Sequence, residues 1–283
     1  MKLFYRSFGQ GKPLLILHGL FGMSDNWMTL AKQFGENGFA VYAVDLRNHG
    51  QSPHSNEFSY DLMMEDVVEL MNDLIKSREL EAGSRETKHA QSLPTSNFPL
   101  PTFSIIGHSM GAKVAMLLAL HHTDKIEKII AVDMAPRYYP PHHQYIFDAI
   151  YGLGDVAAYS SRKEVERKLL SSLTNESTRQ FILKNLYWQK TEKGEVLAWR
   201  FNLPVIEKHI EDMSVTSDSS SRPFNKPTLF IKGEKSEYIT ANDEAEIKNL
   251  FPQAIIKTIA GAGHLVHADK PKEFFEMVMA FLK

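Results

Sequence analysis

Three short stretches carry the side chains that a reaction would need. The first is Gly107-His108-Ser109-Met110-Gly111, a G-x-S-x-G pentapeptide. In such a turn a strained backbone lifts the serine hydroxyl clear of a sheet edge. Glycine is needed on either side because a Cβ there would strike the neighbouring strand or helix. The second is Gly261-Ala262-Gly263-His264, where a glycine-rich turn after a strand can swing an imidazole back towards Ser109. A serine hydroxyl is a poor nucleophile and needs a base of this kind. Serine early and histidine last is one of the chain orders in which the two occur together. The third is His18-Gly19-Leu20-Phe21-Gly22, closing an early strand. Attack on an acyl carbonyl builds an oxyanion, which preorganised N–H donors stabilise. The backbone N–H of Met110, directly after the serine, is one expected donor, and that of Leu20 is the other. The chemistry this set predicts is acyl transfer to water, with Ser109 as nucleophile and His264 as base.

The base needs a carboxylate on its far nitrogen, to fix the tautomer and stabilise the imidazolium. Two places offer one. Asp133 ends the strand after the Ser109 helix and should lie at the carboxyl edge of the sheet, one strand nearer the serine. Glu237, with Glu234 behind it, lies in the later loop Gly233-Glu234-Lys235-Ser236-Glu237-Tyr238. The chemistry calls for no metal or cofactor. His121-His122 and His142-His143 are adjacent pairs that do not share a helix face, so metal ligation is not expected of them. Gly9-Gln10-Gly11-Lys12-Pro13 lacks the spacing of a phosphate loop and reads as a turn, and Gly261 and Gly263 lack the third glycine of a dinucleotide site.

The elements that must position these residues follow from periodicity. Short apolar runs predict buried strands over 14–17, 39–45, 126–132, 228–232 and 254–259, with an edge strand over 3–8. Residues 103–120 read as strand, abrupt turn and helix. Further helices are expected from Ser24 as N-cap to about residue 34, over 60–76, from Asn242 as cap to residue 250, and onward from Pro271. Residues 77–101 are polar and proline-punctuated, and are expected to form an exposed excursion. Over 137–225 the strand signal vanishes and four helices are expected, at 142–153, 163–173, 178–189 and 205–213. The fold class is therefore α/β, doubly wound around a mostly parallel sheet. Residues 1–136 and 226–283 form the core, and 137–225 a helical cap above its carboxyl edge, where such folds bind ligands. Aromatic residues of the insert are expected mainly to pack it on the sheet, with some lining an apolar pocket. The candidate substrate contacts are His18, Phe21 and Trp188.

Composition narrows the partners. The chain has 283 residues, a net charge of −2 and no cysteine. Disulfide and thiolate chemistry are excluded, and nothing points to a nucleic acid or a membrane surface. The expected partner is a small acyl ester or thioester, bound by a monomer or homodimer. The expected location is the cytoplasm, or an organelle matrix if a targeting peptide has been removed.

Over nearly its whole length the chain resembles the α/β-hydrolase superfamily. The landmarks are Leu17-His18-Gly19-Leu20-Phe21-Gly22, Asp45-Leu46-Arg47-Asn48-His49-Gly50-Gln51-Ser52, Gly107-His108-Ser109-Met110-Gly111 and Gly261-Ala262-Gly263-His264. More narrowly it is similar to the small YbfF-type bacterial esterases and the related mitochondrial α/β-hydrolase-domain proteins. The closer marks are Gly111-Ala112-Lys113, Ala131-Val132-Asp133, Trp199-Arg200-Phe201-Asn202-Leu203 and His264-Leu265-Val266-His267-Ala268-Asp269. The chain departs from the family pattern at Ala112, where a second glycine is usual, and in the insertion over 77–101. The resemblance implies hydrolysis of acyl esters or thioesters. Carbon–carbon bond hydrolysis, a lyase step or a low-turnover ligand-binding role on the same fold are the alternatives. By the superfamily's spacing the acid would fall at Ser236, which cannot carry the charge. The YbfF-type esterases share a serine there and an aspartate closing the earlier strand. The resemblance therefore favours Asp133 as the acid, with Glu237 as the alternative.

Overall fold

A computed structural model describes residues 1–86, 102–192, 194–211, 213 and 222–283. Its strands are β1 (Tyr5–Phe8), β2 (Lys12–Leu17), β3 (Phe39–Val44), β4 (Phe103–His108), β5 (Ile126–Val132), β6 (Leu186–Thr191), β7 (Gly194–Trp199), β8 (Thr228–Gly233) and β9 (Ala254–Ile259). Seven of them form one sheet in the order β1-β3-β2-β4-β5-β8-β9. Only β1 is antiparallel to its neighbour, and it sits at an edge. The helices are α1 (Met28–Glu36), α2 (Tyr60–Glu86), α3 (Met110–His121), α4 (Gln144–Tyr151), α5 (Arg162–Leu169), α6 (Glu176–Leu183), α7 (Leu203–His209), α8 (Glu244–Leu250), α9 (Val266–Asp269) and α10 (Pro271–Leu282). No helix among the described residues is long and apolar enough to cross a membrane.

The central strands are apolar without alternation because both faces are covered. Period two still sorts their side chains. Leu15, Leu17, Ile105, Ile129 and Phe230 join the core that includes Val67 of α2 and Val114 of α3. Leu14, Ile16, Ile106, Ile130 and Leu229 join the opposite core, with Phe34 of α1 and Phe274 of α10. From Met110 to Leu120, helix α3 is buried on all sides. Its run of alanine and leucine is what a helix without a solvent face requires.

Several expected elements differ in the structure. Residues 77–86 continue α2 as helix, so the expected excursion does not begin at Ser77; its remainder, 87–101, lies outside the described residues. Residues 137–225 are not all helical. The helix expected over 178–189 ends at Leu183, and β6 and β7 form an antiparallel hairpin pairing Leu186 with Trp199 and Thr191 with Gly194. The aromatic pair Tyr187-Trp188 and Thr191 favour a strand, and Gly194 supplies the turn with φ of 122°. Ser24 is not a side-chain cap. It opens a short 3₁₀ turn, Ser24–Trp27, and its backbone N–H donates to Asp45. Near α8 the capping box is formed by Thr240 and Asp243 rather than by Asn242.

Residues of 137–225 bond to the rest of the chain at several places, two of them in loops that follow core strands. Asn185 Nδ2 donates to Phe21 O at 2.8 Å, and Asn202 N donates to Asn48 O at 2.9 Å. Both partners, Phe21 and Asn48, lie in loops at the carboxyl edge of the sheet.

Candidate active site

Strand β4 ends at His108 and α3 begins at Met110, leaving Ser109 alone to make the turn. Its backbone is in the left-handed region, with φ 51° and ψ −116°. Such strain persists only where the surroundings over-determine it. Here Ser109 N–H donates to Val132 O at 3.0 Å on the adjacent strand. A Cβ at Gly107 would lie 2.3 Å from Gly111 O, and one at Gly111 would lie 2.3 Å from Leu17 O. The two glycines are thus demanded by the close approach of β4, α3 and β2, as the pentapeptide predicts.

On that adjacent strand, β5 ends at Val132 and Asp133 also adopts a positive φ of 52°. Its carboxylate is wholly buried. Oδ1 accepts Gly233 N–H at 3.1 Å. Oδ2 accepts the Ser236 hydroxyl and, at 2.7 Å, the Nδ1–H of His264. That bond fixes the tautomer and leaves Nε2 of His264 as an acceptor. The imidazole is held from two further sides. Its own carbonyl accepts His108 Nε2–H at 2.9 Å, and Tyr238 stacks on the ring at 3.9 Å. Glu237 is exposed and His264 forms its ion pair with Asp133 instead, while Glu234 accepts Gly261 N–H at 2.8 Å and so secures the turn that carries His264. Arg137 forms its ion pair with Asp243, leaving Asp133 to the histidine. His267 points away and stacks on Trp27 at 3.9 Å.

Met110 opens α3, where the first N–H groups have no intrahelical acceptor. Leu20 N–H has no acceptor among the described residues. The loop carrying Leu20 is held from beneath by two buried histidines. His18 Nδ1–H donates to Gly19 O at 2.8 Å while Nε2 accepts Leu46 N–H at 3.0 Å. His49 Nδ1–H donates to Arg47 O at 2.9 Å while Nε2 accepts Phe21 N–H at 3.2 Å. Phe21 itself has φ of 58°. Burial holds His18 neutral, down to about 4, and burial together with the nearby His18 holds His49 down to about 3. Each ring therefore acts as one donor and one acceptor for the backbone.

These features have counterparts among known proteins. Residues 14–277 match the model of the alpha/beta hydrolase family. The chain belongs to the α/β-hydrolase family. It is 36% identical over 275 residues to the sn-1-specific diacylglycerol lipase ABHD11 of Mus musculus, covering 95% of this chain and 80% of that protein. It is 32% identical over 271 residues to esterase YbfF of Escherichia coli strain K12, covering 95% and 92%. Among solved structures, a marine microorganism esterase superposes with a TM-score of 0.83 at 38% identity, covering 99% of both chains.

In this α/β-hydrolase two cavities flank Ser109. Both are lined by Leu20, Ser109, His142, His143 and Tyr238. One continues past Met110, Lys113, Met134 and Tyr139. Lys113 is buried there, its ammonium donating to Pro136 O at 2.8 Å and to Arg137 O, and burial pulls it down to about 7. The other cavity contains His264, Leu265, Phe21, Tyr145 and Phe181. Of the expected substrate contacts, Phe21 lines this second cavity. His18 does not: it is 1% exposed and spends both ring nitrogens on the loop. Trp188 lines neither cavity and lies 43% exposed on the hairpin. The expectation that insert aromatics line an apolar pocket therefore does not hold for Trp188, which β6 carries on the hairpin. Ser236, Tyr238, His49 and His143 occur in stretches that the sequence marks, but their positions around the site are not read from it. Only Ser236 carried a signal, as the residue standing where an acid is usual.

Proposed function

We propose that this protein is a carboxylic ester hydrolase that cleaves acyl esters or thioesters through an acyl-enzyme on Ser109. Ser109 Oγ attacks the acyl carbonyl while His264 Nε2 takes its proton. Leu20 and Met110 N–H groups hold the oxyanion, and Asp133 stabilises the imidazolium. His264 then returns the proton to the leaving alcohol or thiol. Water attacks the acyl-enzyme by the same route in reverse, releasing the acid and regenerating Ser109.

The observation that carries the reading is the 2.7 Å bond from His264 Nδ1–H to a wholly buried Asp133, beside a serine held at φ 51°. That combination costs backbone strain at two residues, which a fold without a reaction to serve has no reason to bear. The esterase and lipase names of the relatives point the same way. In this reading residues 137–225 act as a cap over the site, and the partner is a small ester rather than a macromolecule.

A fluorophosphonate probe tests the nucleophile. The wild type should be labelled stoichiometrically and lose esterase activity. Ser109→Ala should fold, by circular dichroism, yet take no label. Labelling that persists in Ser109→Ala would falsify the assignment.

A further inference from the structure

Tyr238 lies nearly flat against the imidazole of His264, with ring centroids 3.9 Å apart and planes 19° from parallel. Three bonds fix it there. Its N–H donates to Ser236 Oγ at 3.3 Å, its carbonyl accepts the Tyr139 hydroxyl, and its own hydroxyl donates to His142 Nε2. Ser236 in turn donates to Asp133, the same carboxylate that holds Nδ1 of His264. One bonded chain therefore sets both groups. Asp133 meets the imidazole at its edge, and Tyr238 meets it on its face.

The face matters because His264 changes charge. This inference rests on the mechanism proposed above, in which the ring becomes an imidazolium when Ser109 gives up its proton. An aromatic face is electron-rich and attracts a planar, delocalised cation stacked upon it. Burial and the nearby Asp133 push the Tyr238 hydroxyl upward, so that ring stays neutral. The other rings around the base are neutral too. Burial holds His108, at the end of β4, well below its ordinary value, and holds His267 of α9 and His143, just before α4, down to about 3. Asp133 is the one ion-pair partner of His264 among the described residues. We propose that Tyr238 is a positioning residue that acts through His264: its face keeps the imidazole aligned on Asp133 and stabilises the imidazolium over the neutral ring. A wall that merely packed against His264 would do the opposite, since burial disfavours the charged form. The sign of one shift separates the two roles.

The test follows kcat/KM for p-nitrophenyl butyrate from about pH 5 to 9, where the midpoint of the acid limb reports the base of the free enzyme. Tyr238→Phe keeps the face and loses only the hydroxyl, and should leave the midpoint within about 0.2 pH unit of the wild type. Tyr238→Leu should lower the midpoint by about 0.5–1 pH unit and the plateau by about three- to tenfold. Pentafluorophenylalanine at position 238 keeps the shape of phenylalanine and reverses the polarity of the face. It should lower the midpoint at least as far as leucine does, even where leucine loosens the fold. The midpoint does not depend on how much of each variant is folded. A midpoint that stays in place or rises in both the leucine and the fluorinated variants overturns the proposal and leaves the esterase reading standing. If the wild type leaves the ester intact, the esterase reading falls and this inference falls with it.

Discussion

The carboxyl edge of the sheet uses histidine in two opposite ways. On the β5–β8–β9 side, His264 is 30% exposed, faces a cavity and holds a carboxylate. On the β2–β3 side, His18 and His49 are fully buried, touch no carboxylate and bond only to backbone groups. One residue type thus serves as a candidate proton carrier and as a neutral strut, and environment alone separates the roles. A ring that must change charge during a reaction needs a counter-ion and an open side. A ring that must hold a loop still needs neither, and burial then helps by keeping it from titrating.

The largest expected effect breaks the first half of that contrast. Asp133→Asn keeps the shape but removes the charge that the imidazolium needs, and should lower kcat by about 10⁴ at neutral pH. Glu237→Gln, on the exposed side of the neighbouring loop, should stay within about threefold of the wild type. Both are measured with one ester under saturating conditions. The reverse pattern would place the acid at Glu237 and empty the comparison of its meaning.

The second prediction addresses the buried histidines through pH. His18 is held near 4 and His49, His143 and His267 near 3, against an ordinary 6.5. Unfolding frees these rings to bind protons below about 6.5, while the folded state excludes them until the lower values are reached. The unfolded state therefore binds more protons in that window, and stability must fall as pH falls from about 6.5 to 4. For His18 the loss is about 2 kcal/mol at pH 5, from about 1.5 pH units at 1.36 kcal/mol each. Asp45, whose carboxyl is pushed upward by burial, works in the opposite direction and softens the fall. Calorimetric unfolding at pH 5.5 in buffers of different ionisation enthalpy should show uptake of several protons. His49→Gln should reduce that number by about one. Uptake of less than one proton in the wild type would mean that these rings are already charged in the folded state.

Much of this architecture is legible in the sequence because it is local. The strands that end at Leu17, His108 and Val132 announce themselves as short apolar runs, and Gly107 and Gly111 mark a turn that only glycine can serve. Ser109 and His264 follow from those turns. What escapes is tertiary. Nothing near Ser236 says that its hydroxyl reaches a carboxylate 103 residues earlier in the chain. Nothing in Leu17-His18-Gly19 distinguishes a ligand-facing histidine from one tucked under the loop, because the deciding partner, Leu46 N–H, belongs to another strand end. The β6–β7 hairpin was missed for a different reason. Residues 178–189 contain apolar positions that suit a helix, and the strand is settled only by pairing with 194–199.

Ser236 gives the smallest and most discriminating effect. It stands where a carboxylate is usual in the family pattern, and the structure places its hydroxyl on Oδ2 of Asp133, the same oxygen that receives His264. Two roles are open to such a group: holding the acid in place, or sharing its charge as the base becomes protonated. A hydrogen bond to a charged group contributes about 1.5–3 kcal/mol, but Gly233 N–H still holds Oδ1 when Ser236 is removed. Ser236→Ala should therefore lower kcat by about tenfold, far short of the loss at Asp133. Ser236→Thr keeps a hydroxyl and should recover most of it. The pair of variants separates the roles, because mere positioning predicts that the loss in Ser236→Ala is matched by a fall in folding stability of similar size. Charge sharing predicts a lower kcat with stability and KM nearly unchanged, since the bond then strengthens only when the imidazolium forms. A buried carboxylate already bonded to His264 in the resting state favours positioning, so the expected result is a matched loss. A fall in kcat as deep as that of Asp133→Asn would instead make the serine an equal partner of the acid.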